Sequence, residues 1–111
     1  MSILFTTWTP DAIRALLDRS DKAVERAILA LYRRQTEDEQ TTQETKHRNG
    51  RGFASCHAWR GSYYAQWILG GRHLSGPHLE RARRIVRHYA GQLAEVAQAR
   101  TAPLLLEVAN A

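Results

Sequence analysis

A chain of 111 residues with 43% apolar side chains is long enough for one domain with a modest core and too apolar to be disordered. Its single cysteine, Cys56, excludes an internal disulfide and suits a reducing cytoplasm. No run approaches the length of a membrane span, and the Met-Ser-Ile-Leu-Phe start lacks the basic region of a signal peptide, so no membrane partner is expected. The net charge of +5 is unevenly spread. Residues 1–45 hold six Lys/Arg against eight Asp/Glu, a balance of −2, whereas residues 46–111 hold ten against three, a balance of +7. No acid stands between Glu44 and Glu80. Such a separation points to a polyanionic partner, although arginine-rich composition also follows from a GC-rich genome.

Thr9-Pro10-Asp11 has the chemistry of a helix start: a hydroxyl cap, proline in the first turn, and a carboxylate beside the positive end of the dipole. Ile13, Leu16 and Leu17 share one stripe, so a short helix is expected over 10–18, with Ser20 capping the next. In that second helix Val24, Ile28, Leu31 and Gln35 fall at i, i+4, i+7 and i+11, flanked by Ala23, Ala27 and Ala30. The apolar signal stops at Tyr32, and the helix is expected to run exposed to about Gln40 through the acidic triplet Glu37-Asp38-Glu39. A third helix is expected over Tyr63–Leu69, capped by Ser62 and ended by Gly70-Gly71. The fourth is the clearest. Ser75 stands at its N-cap, Pro77 lies in its first turn, and Leu74 can staple to Leu79. Leu79, Ala82, Val86, Tyr89, Leu93 and Val96 then form one unbroken seam, with Arg83, Arg84 and Arg87 on the opposite half and Arg81 and His88 at its margin. No stretch alternates at period two. The fold class expected is therefore all-α, a compact bundle of four or five helices whose second and fourth members make the main antiparallel pair. Residues 1–111 form a single domain, with 1–8 and 99–111 as arms or tails.

Between the second and third helices lies a Gly-rich basic loop. Lys46, His47, Arg48, Asn49, Gly50, Arg51, Gly52, Phe53, His57, Trp59 and Arg60 are gathered there with no acid among them. Gly50 and Gly52 take φ > 0 without steric cost, and two such residues spaced by two can turn backbone N–H groups into a concave anion nest. Arg48 and Arg51 would add charge-assisted bonds. Phe53 and Trp59 are candidates to stack bases beside arginine, and Arg60, Arg72, Arg84 and Arg87 extend the basic surface. A plain solvated turn is the competing reading of the loop, and core packing that of the aromatics.

Catalytic and metal constellations are thin. Cys56-His57 with His47 lacks the paired spacing of a zinc motif. Neighbouring Cys and His rarely face each other as nucleophile and base. His47-Arg48-Asn49 invites comparison with a metal-dependent nuclease turn but has no acidic ligands nearby. No enzyme activity, cofactor or metal is expected.

Three blocks together resemble an uncharacterised family of small proteins carried by phages and mobile elements. They are Ala23–Ile28 running on through Gln35–Gln40; Asn49-Gly50-Arg51-Gly52-Phe53; and Leu74-Ser75 with Ala82-Arg83 and Tyr89-Ala90-Gly91-Gln92-Leu93. The Asn-Gly-x-Gly-Phe segment with a downstream Tyr-x-x-Gln-Leu is also similar to a module attached to phage helicase-type proteins. The resemblance covers about residues 20–98 and implies a mobile-element origin and a nucleic-acid or nucleoprotein context, with no activity to carry over. Two functions follow as expectations. One is an accessory protein that binds the backbone of DNA or RNA through the basic loop. The other is an anti-CRISPR-like inhibitor that docks on a host nucleoprotein complex. A homodimer or assembly chaperone stands behind both.

Overall fold

The computed structural model describes residues 8–41 and 52–99, with the backbone alone for 37–41. Lys46, Arg48, Asn49, Gly50 and Arg51, and the terminal stretches 1–7 and 100–111, lie outside the described residues. Four helices, α1 (Pro10–Arg19), α2 (Asp21–Thr41), α3 (Ser55–Leu69) and α4 (Gly76–Arg87), are followed by a fifth, α5, over 90–99. No strand occurs among the described residues, and the expected all-α bundle is the architecture observed. None of these helices is long and apolar enough to cross a membrane.

The first two helices start as their cap residues dictate. The Thr9 hydroxyl accepts from the Ala12 N–H at 3.1 Å, and the Ser20 hydroxyl accepts from the Ala23 N–H at 3.1 Å. Each bond satisfies one of the donors that a helix N-terminus leaves unpaired. Val24, Ile28 and Leu31 are fully buried, as their spacing predicts. α2 packs against α1, α3 and α4, so it is the central element. It runs antiparallel to α3: Tyr32 bonds Gln66 and Gln35 bonds Ser62, so rising numbers on one meet falling numbers on the other. α2 packs extensively against both α3 and α4, and its Arg34 reaches Gln92 and Glu95 of α5, the stretch that the expected fourth helix included. The core also takes Ile13 and Leu17 from α1, Tyr64 and Ala65 from α3, and Leu79, Ala82, Ile85 and Val86 from α4.

Two helix boundaries differ from expectation. α3 begins at Ser55, not at Ser62, and passes through Gly61-Ser62 without a break. Glycine costs an interior helical position about 1 kcal/mol, but here it makes room. A Cβ on Gly61 would lie 2.5 Å from Cζ of Phe53, whose ring is buried against it. Ser62 caps nothing; its hydroxyl accepts from Nε2 of Gln35 at 3.4 Å. The long fourth helix is in fact two. The His88 and Tyr89 N–H groups bond to Ile85 and Val86 carbonyls, three residues back, at 3.1 and 3.0 Å. This tight turn ends α4, and α5 resumes with Leu93 N–H on the Tyr89 carbonyl at 2.9 Å. The hydrophobic seam survives the break, because Leu79, Ala82, Val86, Tyr89 and Leu93 are all buried. Ser75 holds the N-cap position of α4, but its side chain makes no capping bond. The connector before it is held instead by Glu25, whose carboxylate accepts from the Leu74 N–H at 2.7 Å and meets His73 Nδ1 at 3.0 Å.

Candidate nucleic-acid interface

The segment 52–54 enters α3 under tight control. Gly52 has φ of +78°, as its place in a nest would require. Its surroundings, however, are those of a packing site. Gln92 on α5 reads its backbone in both directions: the Gly52 N–H donates to Oε1 at 2.8 Å, and Nε2 donates to the Gly52 carbonyl at 3.0 Å. The Gly52 N–H is therefore already bonded within the protein. Next along, Phe53 is buried with its ring edge-on to Tyr89, centroids 5.8 Å apart. Phe53 offers no face to a base, which corrects its assignment as a stacking residue. The Ala54 N–H then donates to the Tyr89 hydroxyl at 2.9 Å.

Tyr89 also fixes His57. Its hydroxyl accepts from the Ala54 N–H and meets His57 Nδ1 at 2.6 Å, which leaves Nε2 as the ring nitrogen without a described partner. Burial, and then repulsion from His88, whose ring centroid is 5.3 Å away, lower the His57 pKa. Burial pushes the Tyr89 phenol up.

His57 and His88 belong to a groove of about 290 Å³ between the first turns of α3 and the outer face of α4, lined also by Cys56, Arg60, Arg81, Arg84 and Ile85. No acid lines it. Four of the arginines around the bundle are tied within it, and Arg19, Arg26, Arg33 and Arg72, like the groove arginines, form no ion pair with another described residue. Arg83 donates to the Leu17 carbonyl at 2.9 Å, to Glu80 and to Asp21; Arg87 pairs with Asp18; Arg34 bonds the Gln92 carbonyl and Glu95; Arg14 pairs with Asp11. These are ties within the bundle. Arg60, Arg81 and Arg84 form no ion pair with another described residue. Arg87, expected on the binding surface, pairs with Asp18 and is not among the residues lining the groove.

Along the same side of α3 the aromatics at i, i+4 and i+8 form a ladder. Trp59 and Tyr63 stack in parallel, 5.8 Å between centroids and 2° between planes, and Trp67 follows at 6.4 Å. Arg72 closes the ladder with its guanidinium 4.4 Å from the Trp67 ring centroid. Trp59 is 75% exposed, and Tyr63 and Trp67 are exposed too. Core packing therefore accounts for Phe53 and Tyr64 but not for these three rings.

The structure thus brings Arg60 and Arg84 into one groove, whose lining does not include Trp59, and leaves Arg72 at the far end of the ladder. Sequence reasoning missed Arg81, His57 and His88 as groove residues, and Tyr63 and Trp67 as ladder residues. The i, i+4, i+8 spacing of 59, 63 and 67 is the signal that could have found the ladder. The groove had none, because its two walls are twenty residues apart in sequence. Compared with known proteins, the chain matches no family model, no curated protein and no solved structure.

Proposed function

We propose that this chain is a small, non-enzymatic nucleic-acid-binding protein that grips phosphates with Arg60, Arg81 and Arg84 and rests unpaired bases on Trp59. The observation that carries the reading is that three arginines line one groove. Arg60, Arg81 and Arg84 form no ion pair among the described residues, whereas Arg14, Arg34, Arg83 and Arg87 are tied to acids or carbonyls within the bundle. Three cations converging without acids are stabilised by a polyanion. An exposed tryptophan next to Arg60 in sequence and stacked on tyrosine is a surface on which single strands are held. The basic residues Lys46, Arg48 and Arg51 precede the pinned Gly52 by at most six positions and fit the same role. A mobile-element origin, implied by the motif resemblance, suits a protein with such a partner.

The ladder favours a second reading. Exposed Trp59, Tyr63 and Trp67 are the residue types and spacing of a protein-docking face, as an inhibitor of a host nucleoprotein complex would need. Fluorescence anisotropy with a labelled single-stranded oligonucleotide separates the two. Binding should weaken with salt, and Arg60→Ala and Arg84→Ala should each lower the log–log slope by about 0.7. Arg87→Gln should leave it unchanged. No binding by the parent at low salt, together with capture of one host protein that survives nuclease, would replace the first reading with the second.

A further inference from the structure

We infer that the groove between α3 and α4 recognises a terminal phosphate of a single strand, in preference to the internal phosphodiesters of its backbone. The inference rests on the nucleic-acid reading above and adds which phosphate is bound.

It starts from the shape of the charge. A protein that tracks a backbone strings its cations along a path. Here Arg60 reaches in from α3, Arg81 and Arg84 from α4, and the three line one concavity of about 290 Å³. An internal diester carries one negative charge on two free oxygens. A terminal monoester carries nearly two charges on three oxygens at neutral pH. The second therefore offers a third oxygen and more charge to the guanidinium groups on the two walls, and bidentate arginine contacts are the strong ones. His57 adds a ring edge of fixed direction, because the Tyr89 hydroxyl engages its Nδ1 and leaves Nε2 as the free ring nitrogen.

The ladder supplies the second half of the argument. Trp59 directly precedes the groove residue Arg60 along α3, so of the three stacked rings it is the one nearest the groove in sequence. Tyr63 and Trp67 follow at one-turn intervals, each about 6 Å further along α3. A strand whose end sits in the groove would leave it over Trp59 toward Arg72. Its first base would meet the most exposed of the three rings.

The test uses the full chain and short single-stranded oligonucleotides of one sequence, bearing a 5′-phosphate, a 3′-phosphate or hydroxyls at both ends, and a circular form with no end. Binding to one of the phosphorylated strands should be about tenfold tighter than to the hydroxyl strand, the yield of one further hydrogen bond to a charged group. Which of the two it is assigns the polarity. The circle should bind no better than the hydroxyl strand. The double variant Arg81→Ala, Arg84→Ala should bind all four alike, with an unchanged helical spectrum. Equal affinity of the parent for all four overturns the terminal-phosphate inference and leaves the nucleic-acid reading standing. Absence of binding to any of them overturns that reading itself.

Discussion

Gly52→Ala tests whether the Gly-rich segment serves the fold or a ligand. The added Cβ would stand 2.6 Å from Cβ of Gln35, 2.8 Å from its Cα and 2.9 Å from its backbone nitrogen. Two of those atoms are helix backbone and cannot swing aside. Overpacking of this kind costs about 1–3 kcal/mol. The φ of +78° adds roughly 1–2 kcal/mol for a residue with a side chain. A loss of about 2–5 kcal/mol is therefore expected in urea unfolding, equivalent to a melting-temperature drop of at least about 8 °C for a domain of this size. Gln92→Glu is the companion change. It keeps the acceptor for the Gly52 N–H but sets a carboxylate against the Gly52 carbonyl, so it too should destabilise, by about 1–3 kcal/mol. Should both variants unfold within about 0.5 kcal/mol of the parent, Gly52 is not a packing residue and the nest regains its claim on it.

Val86, fully buried on the α4 seam, should not tolerate charge: Val86→Asp is expected to cost about 3 kcal/mol or more in denaturant unfolding. Arg83→Ala, which strips Asp21, Glu80 and the Leu17 carbonyl of their shared donor, should lower the melting temperature while Arg84→Ala, with no partner to lose, leaves it within a degree or so. For His57 the folded pKa lies below its ordinary 6.5, so above that pH both states are neutral and the group has no effect. As pH falls below 6.5 the unfolded chain takes up the proton first, and stability should decline until the folded pKa is passed. Tyr89, His88, Cys56, Arg60, Arg81 and Arg84 are the groups that face it, and His57→Gln should flatten this part of the stability profile. An unchanged slope in that variant would show that the histidine does not titrate against folding.

The helices were legible wherever a single segment carries its own signal. Thr9 and Ser20 cap as their chemistry predicts, and Val24, Ile28 and Leu31 bury as their spacing predicts. The start of α3 was not legible, because Gly61-Ser62 has the composition of a break. Its reason for being there is the ring of Phe53, a neighbour only in three dimensions. The turn at His88-Tyr89 was hidden for a related reason: a three-residue hydrogen-bond shift leaves the apolar periodicity of α4 and α5 intact. At the candidate site Arg60 and Arg84 could be chosen by charge alone. Which arginines are free could not, since Arg83, Arg84 and Arg87 look alike until Asp18 and Asp21 are seen to reach two of them.

The same distinction gives the Asn-Gly-x-Gly-Phe and Tyr-x-x-Gln-Leu segments a physical meaning. Gly52 is bonded by Gln92, Phe53 packs on Tyr89, and Ala54 is bonded by Tyr89. The two segments are the halves of one latch, forty residues apart, that fixes where α3 begins. Because Tyr89 also holds His57, the latch sets the histidine edge that α3 presents to the groove. A residue pattern of this kind therefore specifies scaffold first and binding only through it. Changes inside the latch should disturb stability and binding together, whereas changes at Arg60, Arg81 or Arg84 should disturb binding alone. That separation is what distinguishes a site built on the latch from a site made by it.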